Sequence, residues 1–288
     1  MNDTTWDPDQ AEKPERPGRP GRRWVRTTVL VVGLGAAMLG ANAVAAGVQN
    51  AALSLVVGPA LAAGMIALYV WAGRHLERRT VTEFPRESAR RHVVLGTLGG
   101  LGLATLSIGI IALFGGYRIT GWGSLAGALA LVGTMCAVAV SEEVFFRGVV
   151  FRLLQGRWGA TVALLASAAI FGLLHLVNPG ASPWGAVAVA VEAGLILGAA
   201  YLLTGSLWLA IGLHLGWNVA IGGIFGTVVS GSAARDALLT GATSGPEWLT
   251  GGAFGPEGSV VSIVVCLAAT GVLLWVAHRR GRVLGRMR

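Results

Sequence analysis

The sequence predicts an all-α fold, a polytopic membrane bundle of about eight transmembrane helices with both termini cytoplasmic. Three observations predict it. The chain is 54% hydrophobic and 12% charged with a mean hydropathy of +0.67, whereas an ordinary soluble domain carries about 25% charged residues. Its apolar residues gather into runs that match the roughly 20 residues needed to cross a hydrocarbon core of about 30 Å. Arginine is concentrated between alternate pairs of those runs, as expected for segments on the cytoplasmic side.

From the N-terminus, residues 1–24 hold Pro8, Pro14, Pro17 and Pro20 among mixed charges and read as a disordered basic tail. The tail lacks the order of a signal peptide, in which a charged start precedes a short apolar stretch and a small-residue cleavage site, so the first span is expected to be retained. Spans are expected near 27–48, 51–73, 93–114, 124–155, 159–178, 185–204, 207–229 and 259–278. Only Gln49 and Asn50 part the first two, which demands a tight turn. The bundle then covers 25–278, with 279–288 as a second basic tail. Cys136 and Cys266 stand singly within spans, without the clustering of a zinc or disulfide framework, and read as small buried apolar residues.

Charge placement sets the orientation. The N-tail holds six Lys or Arg, the 74–92 loop six and the C-tail five, while Arg147, Arg152 and Arg157 lie toward the cytoplasmic end of the fourth span. Only Arg118 and Arg235 fall outside, so 20 of 22 basic residues agree with eight spans and cytoplasmic termini. The net charge of +8 therefore implies no nucleic-acid partner. Basic residues spread over separate juxtamembrane segments suit anionic lipids, at about 1 kcal/mol each near the surface. Arg outnumbers Lys 21 to 1, which suggests a GC-rich bacterial genome and hence a bacterial inner membrane.

Three polar patterns interrupt the apolar chain: Glu142-Glu143-Val144-Phe145-Phe146-Arg147, then Phe171-Gly172-Leu173-Leu174-His175, then His214-Leu215-Gly216-Trp217-Asn218. An ionisable side chain at mid-membrane costs roughly 2.5–3.5 kcal/mol on insertion scales and survives where it pairs or does chemistry. Residues four apart stack on one helix face, so Glu143 and Arg147 form a natural ion pair. Glu142 is then left without a local cation and is the better candidate for chemistry. Phe171 lies one turn before His175, where its ring would exclude water or orient the imidazole. His214 and Asn218 share a face, presenting an imidazole and an amide together. Helical rise puts Glu142 roughly 22 Å, His175 roughly 26 Å, His214 roughly 14 Å and Asn218 roughly 20 Å from their cytoplasmic flanks. All four thus occupy the middle of the bilayer. Glu192, about 10 Å from the outer end of its span by the same measure, reads as reaching hydrated headgroups, with a supporting or substrate contact as the alternative.

In this order the three patterns resemble the CPBP family, also called Abi, of CAAX prenyl endopeptidases and bacteriocin-processing or immunity proteins. All three are matched without substitution over about residues 90–230, which would be the catalytic core. The resemblance implies an intramembrane endopeptidase of a glutamate-dependent type. It implies that Glu142, with His175, activates water, that His214 and Asn218 stabilise the oxyanion, and that Glu143 and Arg147 organise the site. Bacteria are not expected to prenylate proteins, so the expected substrate is another membrane-associated peptide or protein. Such hydrolysis needs water, expected through a polar cavity open to the cytoplasm.

Two His and a Glu would also suit a three-ligand zinc site with an open position. No His-Glu-x-x-His helix is present and the donors lie on separate spans, so chemistry without metal or other cofactor is the favoured expectation. A proton-coupled transporter would use the same residue types, but the two halves show no duplication of broken spans. An immunity or scaffold factor that keeps the fold is the remaining alternative.

Overall fold

A computed structural model describes residues 20–282. Among these residues eight helices are long and apolar enough to cross a membrane: α1 Trp24–Gly47, α2 Ala51–His75, α3 Arg86–Leu113, α4 Leu125–Trp158, α5 Ala160–Val177, α6 Pro183–Thr204, α7 Leu207–Ile224 and α8 Val260–Arg279. The protein is an all-α, multi-pass membrane bundle, as the composition requires. The turn between α1 and α2 is tight as expected, and Asn50 closes it by accepting a hydrogen bond from the Leu53 amide at 3.0 Å.

Three expectations need adjustment. The helix containing α1 starts at Pro20, inside the stretch read as a disordered tail; residues 1–19 and 283–288 lie outside the described residues. The 74–92 loop is shorter, because helix α3 starts at Arg86 and carries Arg86, Arg90 and Arg91 on its first turns. Arg147 is fully buried, so it is no topological charge. A short antiparallel pair was also not foreseen: β1, Tyr117–Trp122, pairs with β2, Leu239–Thr243, with a register shift between Ile119 and Gly121. It staples together two connections far apart in sequence.

The connections sort to two ends. At one end Gly180 donates to Gly231, the Arg235 guanidinium donates to the Ala46 carbonyl at 2.6 Å, and β1 meets β2. At the other, the Leu207 amide donates to the Glu83 carbonyl, and Arg152 and Arg79 both pair with Glu77 and Glu83. Arg74, Arg78, Arg86, Arg90 and Arg91 are exposed on that second end, whereas Arg118 and Arg235 belong to the first.

Close helix crossings rest on glycine. Gly96 and Gly100 on α3 face Gly212 and Gly216 on α7: a Cβ on Gly100 would lie 2.2 Å from the Leu213 carbonyl oxygen, and one on Gly216 2.1 Å from that of Thr97. Without side chains at these four positions the backbones approach closely enough for packing to hold two apolar helices together in lipid. Gly58 on α2 and Gly133 on α4 meet in the same way. These two contacts fix α7 and α4, the helices that carry most of the polar residues.

Candidate active site

Glu142 and Glu143 end the α-helical part of α4; the next eight residues, Val144–Phe151, form a π-helix. Two further π-helical segments follow, Ala190–Gly194 in α6 and Val219–Ile224 immediately after Asn218 in α7. Such widened turns give up regular hydrogen bonding and recur at functional sites. Each of the three lies within or next to a polar residue of the bundle core.

The expected ion pair is present. Arg147 donates from Nη1 to Glu143 Oε1 at 2.8 Å, with both side chains at 0% exposure. Its Nη2 donates to the carbonyls of Gly194 at 3.1 Å and Ala193 at 3.4 Å, on the π-helical turn of α6. Phe171 lies 4.8 Å from the guanidinium and packs edge-on against Phe146, so charge–ring attraction adds to the pairing. Glu143 Oε1 also accepts from His214 Nδ1 at 3.0 Å. A carboxylate only accepts, so His214 carries its proton on Nδ1 and turns Nε2 toward Glu142 Oε2, 3.9 Å away. Arg147, Glu143 and His214 thus form one chain that aims an imidazole.

Glu142 is held differently. Its Oε1 accepts from Asn42 Nδ2 at 2.9 Å, while Oε2 is buried without a hydrogen-bond partner. Asn42 in turn accepts at Oδ1 from Ser141 Oγ at 2.7 Å. Sequence reasoning missed Asn42. Its signal was faint: a single amide in the otherwise apolar first span. His175 ends the α-helical part of α5, and its Nδ1 donates to the Phe171 carbonyl at 2.8 Å, which leaves Nε2 free of that bond. The Phe171 ring lies 4.7 Å from the His175 ring and 6.2 Å from that of His214, so it neighbours both imidazoles. Asn218 donates to Met135 Sδ at 3.4 Å.

Glu142, Phe171, His175, His214 and Asn218 line one cavity of about 310 Å3, while Glu143 and Arg147 stand behind it. The convergence expected from separate spans is therefore present. The cavity also draws on Asn42, Glu257 and Cys266, which lie outside residues 90–230. Two expectations fail here. The exposed wall residues Ala46, Ser232 and Ala233 put the mouth at the end opposite the exposed arginines, so a mouth open to the cytoplasm and arginines on the cytoplasmic side, both expected from the sequence, do not hold together. Glu192 does not reach headgroups: it is 1% exposed and lines the same cavity, where Cys266, buried as expected, donates to it. Helical rise gave its depth but not the direction its side chain takes from the widened turn.

Among the described residues no three His, Cys, Asp or Glu side chains are grouped to hold a metal ion.

Residues 123–220 match the family model described as type II CAAX prenyl endopeptidase Rce1-like. Over that stretch the chain is similar to the CAAX-protease-like CPBP family. The match takes in α4 to α7 up to Ala220, and with them every polar residue named in the three patterns. No curated protein and no solved structure matches the chain. The Rce1-like match supports, in general terms, a membrane endopeptidase of the CAAX-protease type.

Proposed function

We propose that the protein hydrolyses peptide bonds of a membrane-associated peptide or protein by glutamate-activated water, without a metal. The observation that carries this reading is Glu142 Oε2, buried, unpartnered and facing His214 Nε2 at 3.9 Å in a cavity shared with His175 and Asn218. A water in that gap would give a proton to Glu142 while its oxygen adds to the scissile carbonyl carbon. His175 is suited to orient or share that proton, since its Nδ1–H is spent on a backbone carbonyl and its Nε2 can accept. The oxyanion then forms within reach of Asn218 and His214. His214 donates there only as the imidazolium, because its neutral form, with Nδ1–H given to Glu143, presents a bare Nε2. Collapse of the tetrahedral intermediate breaks the C–N bond, and the proton held by Glu142 passes to the leaving amine.

The host membrane is proposed to be a bacterial inner membrane, with anionic lipids against the exposed arginines. The test uses the purified full chain in liposomes with a peptide library read by mass spectrometry. Wild type should cleave, Glu142→Gln should lose about 10²–10⁴-fold in rate, and strong chelation should leave wild-type cleavage intact. Loss on chelation with recovery on zinc would overturn the metal-free step. A scaffold or immunity role would instead leave the cellular phenotype of Glu142→Gln and His214→Ala unchanged.

A further inference from the structure

Two carboxyl groups in the cavity lie outside the reacting set, and they differ in kind. Glu257, on the turn before α8, is a structural carboxylate with its hydrogen bonds met: Oε1 accepts from Trp217 Nε1 at 3.0 Å, and Oε2 accepts from the Ser230 hydroxyl at 2.8 Å and from the Ser230 amide. Burial pushes its carboxyl above the usual range, and the bonds from Ser230 and Trp217 oppose that shift. Glu192 has no such support. Its Oε2 takes a single weak S–H bond from Cys266 at 3.6 Å, and its Oε1 is buried with no hydrogen-bond partner among the described residues. At 1% exposure an unmet carboxyl oxygen is costly as pure structure.

The surroundings show what would meet it. Glu257 and Glu142 line the same cavity, so Glu192 shares it with two further carboxyl groups. Among the described residues the only Lys or Arg on the wall is Arg235, near the mouth, and its guanidinium is committed to Thr134 Oγ1 at 3.2 Å and to the Ala46 carbonyl. Val189, Ala193, Ile196 and Leu197 add apolar wall, suited to the methylene stem of a long basic side chain. Glu192 also sits on the π-helical turn whose last two carbonyls anchor Arg147, so a ligand there would touch the segment that steadies the Glu143–His214 chain.

We propose that Glu192 is the floor of an acidic subsite that receives a lysine or arginine side chain of the substrate. This deepens the peptidase reading and rests on it for the origin of the cation. The cation itself is probed independently, by calorimetry of octylguanidinium and its uncharged counterpart octylurea with the full chain in a neutral maltoside detergent. Wild type should bind octylguanidinium at least about tenfold tighter than octylurea, as expected for a charge-assisted bond in a buried site. Glu192→Gln, nearly isosteric, should erase the difference, Glu192→Asp should keep part of it, and Glu142→Gln should keep it. In the peptide library, wild type should enrich Lys or Arg at one position relative to the cleaved bond, and Glu192→Gln should cleave without that enrichment. No preference for the cation in wild type, an unchanged preference in Glu192→Gln, or a preference that follows Glu142 would overturn the subsite. Cation binding through Glu192 with no cleavage of any peptide by wild type would leave the subsite standing and sink the peptidase reading.

Discussion

Asn42 and Glu142 form a hydrogen bond across 100 positions of sequence, and it decides which carboxyl oxygen is left without a partner. With Oε1 held by the amide, Oε2 alone faces His214. Asn42→Ala should therefore slow cleavage by about tenfold, the scale of one charge-assisted hydrogen bond, without a comparable loss of thermal stability in detergent. A purely structural Asn42 would lower both together. Arg147 predicts the opposite balance. Removing it leaves Glu143 buried without its cation, so Arg147→Ala should cost about 3–5 kcal/mol, read from thermal or denaturant unfolding. Replacing both partners by methionine should recover much of that stability but not cleavage, because His214 Nδ1 then has no acceptor to aim it. The ion pair was legible in the sequence because both partners lie on one helix a turn apart. Asn42 was not, because nothing local relates α1 to α4.

At the level of elements, the active geometry depends on how closely helices approach. The glycine pairs join α3 to α7, with Gly212 and Gly216 on either side of His214, and any side chain there would push α7 away from α3 and shift His214 relative to Glu142. Gly100→Ala should destabilise by about 1–3 kcal/mol and depress cleavage further through His214 and Asn218. Gly102→Ala is its control: a Cβ there meets nothing within 4 Å, so stability should hold or rise by about 0.5–1 kcal/mol on helix propensity alone. Paired unfolding and cleavage measurements on the two variants check this. Most span limits were legible to within a few residues, since apolar length is a local property; α3 starts at Arg86 rather than near 93, and α7 ends at Ile224 rather than near 229. The π-helical turns were not. They depend on tertiary partners, and Arg147 finding its acceptors on α6 is one such case.

For the molecule as a whole, the end at which the cavity opens matters most. Eight spans put Trp24 and Arg279 at the same end, together with the exposed arginines of the α2–α3 connection, and the mouth lies at the other. If the arginines face the cytoplasm, substrate and water enter from the opposite side. Ser232→Cys should then be labelled in intact cells by a membrane-impermeant maleimide above the level of the unaltered chain, and Arg78→Cys only after the membrane is opened. The reverse labelling would invert the topology and return the mouth to the cytoplasm. Composition, span number and the acid, imidazole and amide patterns were all present in the linear chain, because lipid solvent dictates the first two and a 3.6-residue period the third. Which oxygen of Glu142 stays free, where Glu192 points and at which end the cavity opens came from packing. Those depend on contacts between helices that no local period encodes.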